Sequence, residues 1–539
     1  LSGGQNVFNG YEFKLLSKMK KIYYTFALFV SLIFINACSK YVDIIPDAPN
    51  SENFFNDEAE FEEGLIGVYD MLQTTFYNVM VGHSASDDII AGGDPNTFDQ
   101  PTLQKVDKMT HSPADNDQIQ LIWQLMYAAY NRANYLLEFK DKADFDGKDD
   151  IIAQAYFLRA HFIFELTKFF GDVPLFVEER NGVNRIANKR TLFGDKYSIS
   201  RVGSVDDIYS LLEEDLKEAI PSLPDSRASS EIYKITNGAA KALLGKIYLY
   251  HQKYEEAAVQ LNQVINSGNY QLLTGSDYTN LFTRTGENSA ESVFEIQYTG
   301  VVGNNWDCLH CNAGNYMPQT NGPRSPFVHG TYKAGWGINI FTKYLYQQYN
   351  SIDIRRNVTI FAPKSGTYGE SRENSGYFNK KYLVLKDEPT VSSDPVSYQN
   401  NYRVIRYADV LLMAAEAEAQ SGGANAVNYL NQLRERAFRN SSRNYPYNGE
   451  NNLLEAIYQE RRLELAGEGH RFFDLVRTGK AEEAFSVYNA AIDGENLSAE
   501  EKTRRKINFT KGKNEVFHLP LEELNLANAT DSWGQNPGY

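Results

Sequence analysis

Cysteine is scarce in this chain, and the three present (Cys38, Cys308 and Cys311) exclude much chemistry. Cys308 and Cys311 form a Cys-Leu-His-Cys run in which His310 could be a third zinc ligand, but no second cysteine pair completes a tetrahedral site. A thioredoxin-type pair needs a helix N-terminus to lower a thiol pKa, and no helical period begins there. A local disulfide or two free thiols is the expectation. Lys/Arg-rich runs are missing too. The formal net charge is −16, so the protein would repel phosphate backbones, and nucleic-acid binding is not expected. Gly-rich phosphate loops, nucleophile elbows and zincin helices are all absent from the sequence. Tryptophan is sparse, at four residues, whereas tyrosine reaches 36. Tyrosine suits sugar and peptide recognition, because one face stacks while the hydroxyl stays wet, but it also fills helical cores.

Only one hydrophobic run stands out. Within Met19–Cys38, Lys20 and Lys21 are followed by the uncharged stretch Ile22–Ile35, then Asn36-Ala37-Cys38. A bilayer core needs about 20 apolar residues, so the run reads as a secretory h-region rather than a spanning helix. The cysteine at the expected cleavage point resembles a bacterial lipoprotein signal, which would leave Cys38 as a lipidated N-terminus. Residues 1–18 precede Met19 and read as upstream sequence or a misplaced start, residues 19–37 as the signal, and residues 38–50 as a tether. With residues 1–37 removed, the net charge becomes about −19, since four lysines and one glutamate leave with them.

Beyond the tether the periodicity is helical. Helices are predicted over Glu58–Leu72, Gln118–Glu138, Ile151–Phe170 and Val205–Ala219, and the third, apolar almost all round, must be central. Thr75–Asp117 reads as loop. Ile235–Ser267 matches tetratricopeptide spacing, with Leu244-Gly245, Tyr248, Tyr254 and Ala257 where paired helices approach closely. Tyr402–Arg436 repeats the pattern more loosely around Ser421-Gly422-Gly423. Thr279–Asn401 is long, loop-rich and low in helical period apart from an extended Ser292–Tyr298, and a loop region of that length is usually functional.

Glu460–Asp474 gathers Glu460, Glu464, Glu468, His470 and Asp474 among Arg461, Arg462 and Arg471. A catalytic carboxylate pair needs a cleft and a shifted pKa. The surrounding arginines predict a buried ion network instead, and no catalytic residue is assigned. His83, His111 and His251 are scattered singly. Asp94-Pro95-Asn96 with Asp99 lacks the glycine and distant glutamate of a calcium loop, so no metal or cofactor is expected. Better candidates for binding are aromatics in polar loops: Trp306 after Asn304-Asn305, Tyr316 after Asn315, and Tyr332 and Trp336 around Lys333-Ala334-Gly335. Flat rings stack on sugar faces while neighbouring amides meet the hydroxyls. Trp336 could equally plug the scaffold, and Trp123 and Trp533 read as structural.

Several blocks, in order, resemble the SusD/RagB family of outer-membrane nutrient-binding lipoproteins of Bacteroidetes. They are Trp123–Leu137, Ala155–Leu175, Ile235–Tyr270, Arg406–Glu418, Glu460–Lys480 and the terminal Gln535-Asn536-Pro537-Gly538-Tyr539. The resemblance implies a mostly α fold of irregular tetratricopeptide-type helix pairs carrying a loop-rich binding region. It divides the chain into residues 51–290 and 291–539, which form one compact unit. It further implies a lipid-anchored protein of the outer membrane, facing the cell exterior, and a SusC-like TonB-dependent transporter as partner. The implied ligand is an oligosaccharide, with a peptide, as for RagB-type members, as the alternative. A glycan-active enzyme and a pure tetratricopeptide scaffold are further rivals. Family members with glycan ligands also use the loop before the Trp123 helix, which here carries Asp87, Asp88 and Phe98; this adds Asp87 and Asp88 to the candidate site.

Overall fold

Side-chain caps and apolar stripes set the helices. In the computed structural model, which describes residues 54–115, 117–188, 199–300, 313–388, 397–527 and 533–539, helix α1 (Glu58–Asp70) starts where the Asp57 carboxylate accepts from the Glu60 N–H. Such a cap satisfies an otherwise orphaned amide and contributes about 1 kcal/mol. Its stripe of Phe61, Leu65 and Val68 is buried. Helix α2 (Phe76–Ser84) and helix α3 (Pro101–Asp107) follow. The long helices are α4 (Asp117–Glu138), α5 (Lys148–Phe170) and α6 (Val205–Ala219). They are followed by the pair α7 (Asn237–Tyr250) and α8 (Tyr254–Asn266), then α9 (Tyr407–Ser421), α10 (Ala426–Phe438) and α11 (Leu453–Leu465). Helix α12 (Arg471–Arg477) and helix α13 (Ala481–Asp493) follow, and the short helices Ala499–Arg505 and Leu521–Ala527 lie beyond them.

Each of α4 to α10 packs against the next, so the helices stack as successive antiparallel pairs. Helix α5 is buried on nearly every side, as its composition requires. In the α7–α8 pair a Cβ on Gly245 would lie 2.6 Å from Leu261 Cγ, which explains the glycine at that step. Ala257, opposite, is fully buried.

Strand pairing ties the loop-rich excursion to both halves of the helical stack. Strand β1 (Ile89–Ala91) belongs to a four-stranded antiparallel sheet of order β1-β5-β7-β6, with β5 at Asn339–Phe341, β6 at Ile360–Phe361 and β7 at Tyr377–Asn379. Strands β2 (Val177–Arg180) and β3 (Val183–Ile186) form a hairpin. Strand β4 (Ser292–Ile296) pairs with β8 (Tyr402–Arg406), which leads directly into α9. Asp57–Tyr539 is one compact body.

Thr75–Asp117 is not the uninterrupted loop its composition predicts, because α2, β1 and α3 lie within it. All nine residues of α2 are buried, so no polar face alternates with an apolar one to betray the period. Strand β1 finds its partner, β5, far along the chain, where local pattern is blind. The ion network, by contrast, is where the charges of Glu460–Asp474 predict it. Glu464 accepts from Arg406 at 2.7 Å and from Arg436 at 2.6 Å, and Glu468 from Lys381 at 2.6 Å and Arg406 at 2.8 Å. Burial would raise the Glu464 carboxyl, but Arg436, Arg406 and Arg355 outweigh it and hold it well below the usual range.

Candidate functional site

Three segments meet beside the sheet. Strand β1 runs on into Gly92 and Gly93, whose N–H groups donate to the carbonyls of Ile338 (2.6 Å) and Gly337 (2.8 Å). A Cβ on Gly92 would fall 2.2 Å from the Gly337 oxygen, so only glycine lets these backbones approach. The third segment arrives with Arg372, whose N–H donates to the Gly93 carbonyl at 3.1 Å. Together they place the turn after β1 beside Trp336 and Arg372.

That turn is internally satisfied. The Asp94 carboxylate accepts from the Asn96 N–H (2.8 Å) and the Thr97 N–H (3.2 Å), while the Asp94 N–H donates to Asp99 at 3.0 Å. Arg324 bridges the segments, donating to Asp94 at 3.0 Å and to the Trp336 carbonyl at 3.3 Å. The Asn96 amide leads, with help from Arg324, in holding the Asp94 carboxyl below its ordinary range. These oxygens are therefore spent on the turn itself, and the described residues contain no cluster of three or more potential metal ligands.

Phe98, at the tip, is 65 % exposed, and the Arg372 guanidinium lies 4.0 Å from its ring centre. A cation over one face fixes the ring's orientation and leaves the other face outward. Trp336 is partly buried. Its N–H donates to the Gln319 carbonyl at 2.7 Å, and its ring meets Tyr316 edge-on at 5.7 Å. Gln319 in turn accepts from the Tyr398 hydroxyl at 3.0 Å. Tyr332 sits in a different cluster, a stack of Phe327, His329 and Tyr332 with neighbouring centroids 5.5 Å apart and Phe361 edge-on to each. Burial raises its hydroxyl pKa.

The structure corrects two of the expectations for the site. Asp87 and Asp88 are buried, at 1 % and 2 % exposure, and are bound to Arg462 and Arg471. Burial raises both carboxyls; Arg462 and Arg471 pull Asp87 below its usual range, whereas Asp88 stays raised, with the Asp87 charge adding to burial. They join the turn region to α11 and α12 and, being buried, present no carboxylate to solvent. Tyr316 is 7 % exposed and packs against Phe76 as well as Trp336, so it supports Trp336 from below. Trp306, Asn304 and Asn305 lie outside the described residues, as do Cys38, Cys308 and Cys311. The flanking Thr299 N–H and Ala313 carbonyl are hydrogen-bonded at 2.7 Å.

Phe98, in Asn96-Thr97-Phe98-Asp99, carries the same signal as Trp306, an aromatic among amides and acids. Arg372 and Arg324 carry none, because their role depends on contacts distant in the chain. Trp123 is buried at 3 % exposure, in keeping with its structural assignment.

Comparison with known proteins agrees with this architecture. Residues 355–539 match the model of the SusD family, and residues 40–249 match a model described as starch-binding, associating with outer membrane. SusD-like protein P2 of Formosa agariphila is 27 % identical, covering 97 % of this chain and 100 % of that protein. Among solved structures, a laminarin binding SusD-like protein is 32 % identical with a TM-score of 0.73, covering 90 % of this chain and 100 % of that one. Surface glycan-binding protein A from Bacteroides thetaiotaomicron, in complex with laminarihexaose, is 26 % identical with a TM-score of 0.73, covering 89 % and 99 %.

Proposed function

The chain belongs to the SusD family, and from that premise we propose that it is an outer-membrane lipoprotein that captures an oligosaccharide without catalysis and passes it to a SusC-like TonB-dependent transporter. The observation that carries the binding site is the outward face of Phe98, held by Arg372 beside Trp336. A ring immobilised before binding loses little conformational entropy when a sugar stacks on it. The laminarin and laminarihexaose in the names of the two solved relatives support a glucan of that class as the ligand. Trp306, with Asn304 and Asn305, would add a second stacking surface and amide partners, and Tyr332 a flanking one.

Catalysis finds no support in the acidic residues, since Glu460, Glu464, Glu468 and Asp474 are bound to arginine or lysine. No helix among the described residues is long and apolar enough to cross a membrane. Attachment through acyl chains on Cys38, each buried CH₂ contributing about 0.8 kcal/mol, fits that finding and the outer-membrane description of the matched family model. A panel of laminarin oligosaccharides, starch oligosaccharides and peptides, titrated against the purified protein, tests the reading. Binding of an oligosaccharide with no hydrolysis products supports it; binding of peptides alone, or release of shorter sugars, contradicts it.

A further inference from the structure

A second aromatic cavity, of about 410 Å³, lies between α4, the segment after α5 and the C-terminal residues. It shares no residue with the Phe98–Trp336 platform. Trp123 and Tyr127, one turn apart on α4, have ring centroids 4.7 Å apart, and Trp533 comes from the far end of the chain to within 6.1 Å of Trp123. Tyr127 and Trp533 are held by their polar ends, and the Trp123 indole donates to Glu523. The Tyr127 hydroxyl donates to the Pro174 carbonyl at 2.9 Å, and the Trp533 indole N–H donates to the Ile199 carbonyl at 2.7 Å. Gln124 and Asn131, both exposed, stand on the same wall, and Glu523 faces them from the helix Leu521–Ala527.

We propose that this cavity is a second oligosaccharide-binding site, in which a pyranose ring lies against the part-exposed rings of Tyr127 and Trp533, with buried Trp123 backing them, while its hydroxyls donate to Glu523 and exchange hydrogen bonds with Gln124 and Asn131. This rests on the reading of the protein as a glycan binder. The volume falls in the range of small-molecule sites, about 300–1,000 Å³. The distribution of polarity decides the ligand class. Glu523 accepts from Gln124 and from the Trp123 indole, and with exposed Gln124 and Asn131 it makes a polar wall with hydrogen-bonding capacity to spare, which a hydroxyl-bearing ligand can use and a purely apolar one would only cover. A sugar ring has an apolar C–H face for Tyr127 and Trp533 and an equatorial edge of hydroxyls for the polar wall. Burial and the neighbouring Glu522 push the Glu523 carboxyl up despite its bond from Gln124, and a hydroxyl donor there would be welcome.

Titrating laminarihexaose into the wild-type protein, and into Ala128→Trp, Glu523→Gln and Phe98→Ala, tests the proposal. Ala128 is exposed at the cavity mouth, so a tryptophan there obstructs entry while removing no existing contact. The wild type is expected to show two classes of site. Ala128→Trp and Glu523→Gln should weaken one class at least tenfold, and Phe98→Ala only the other. The indole N–H resonances of Trp123 and Trp533 should shift on titration in Phe98→Ala, and not in Ala128→Trp. An isotherm unchanged by both cavity variants, or indole signals that never move, overturns the second site and leaves the platform standing. Indole shifts that persist with an isotherm insensitive to Phe98→Ala would overturn the platform and leave the cavity. Should Ala128→Trp lower the melting temperature, Glu523→Gln and the indole shifts decide alone. A response to tetramethylammonium with none to the sugar would mark a cation cage and overturn the assignment.

Discussion

The Arg372 guanidinium lies 4.0 Å from the centre of the Phe98 ring, joining two residues far apart in the chain. One face of the ring is thereby occupied, and the contact is braced by the Arg372 N–H bond to Gly93. An exposed phenyl ring on a free turn would sample several rotamers. Held this way, it is a surface oriented before any ligand arrives.

Phe98→Ala should weaken oligosaccharide binding at least tenfold with almost no change in melting temperature. Losing one stacking surface removes about 1.5–3 kcal/mol of contact, and a ring 65 % exposed adds little to the core. Arg372→Ala should have a smaller effect, two- to fivefold, matching the roughly 0.5–1 kcal/mol of an exposed cation–π contact. Calorimetric titration alongside thermal unfolding checks both.

Glu464→Gln should destabilise the fold by about 3–5 kcal/mol and leave ligand affinity unchanged. The substitution leaves Arg406 and Arg436 buried with one partner fewer, and an uncompensated interior charge is what makes breaking such a pair costly. Denaturant unfolding and a parallel binding titration separate the two effects. A variant of native stability would mean that the network contributes far less than its burial suggests.

Gly245→Ala should cost about 1–3 kcal/mol, because the new Cβ would meet Leu261 Cγ at 2.6 Å in a packed interface. The cost should shrink when Leu261 is already alanine. A double-mutant cycle measures that coupling. Additive effects would place the strain elsewhere.

The buried histidines should cost the fold stability as pH drops from about 6.5 to about 4. His83, His111, His161 and His518 are buried, and burial lowers them to about 4, 3, 4 and 4. Below pH 6.5 the unfolded histidines take up protons that the folded ones refuse, which favours unfolding until the folded values are reached. Asp107 and Glu287, raised by burial to about 6 and about 7, act in the opposite sense. Asp88, Asp215, Glu388 and Glu523 are raised as well, and His470, lowered to about 3, joins the histidines, so the net slope is the balance of two opposing sets. Below pH 4.5, Glu165 and Glu468, held at about 2 against burial by lysine and, for Glu468, Arg406, add further acid sensitivity. The histidine contribution is read by difference: between pH 7 and pH 4 a His161→Phe variant should lose less stability in denaturant than the wild type, and equal losses would contradict the assignment of a neutral buried His161.

The helical stack was legible because its signals are local. The apolar period of α1 and the small residues Gly245 and Ala257 all act within one or two turns. Buried α2 was missed because it lacks a polar face, and the β2–β3 hairpin went unremarked although Asn181-Gly182 marks its turn. Trp336, named from its loop composition as either a stacking surface or a scaffold plug, is partly buried against Tyr316. Asp87 and Asp88 were misassigned because their partners, Arg462 and Arg471, come from the other half of the chain. Charge in a polar stretch looks the same on paper whether it faces solvent or an arginine.

The central claim is that an oligosaccharide stacks on aromatic side chains beside the sheet, and calorimetric titration of laminarihexaose into wild type, Phe98→Ala, Trp306→Ala and Trp336→Ala tests it most directly. The account predicts that Phe98→Ala and Trp306→Ala each bind at least tenfold more weakly at unchanged melting temperature. Trp336→Ala should lose both affinity and some stability, since its ring packs on Tyr316. Affinity unchanged in all three variants would contradict the account and remove the site from these loops.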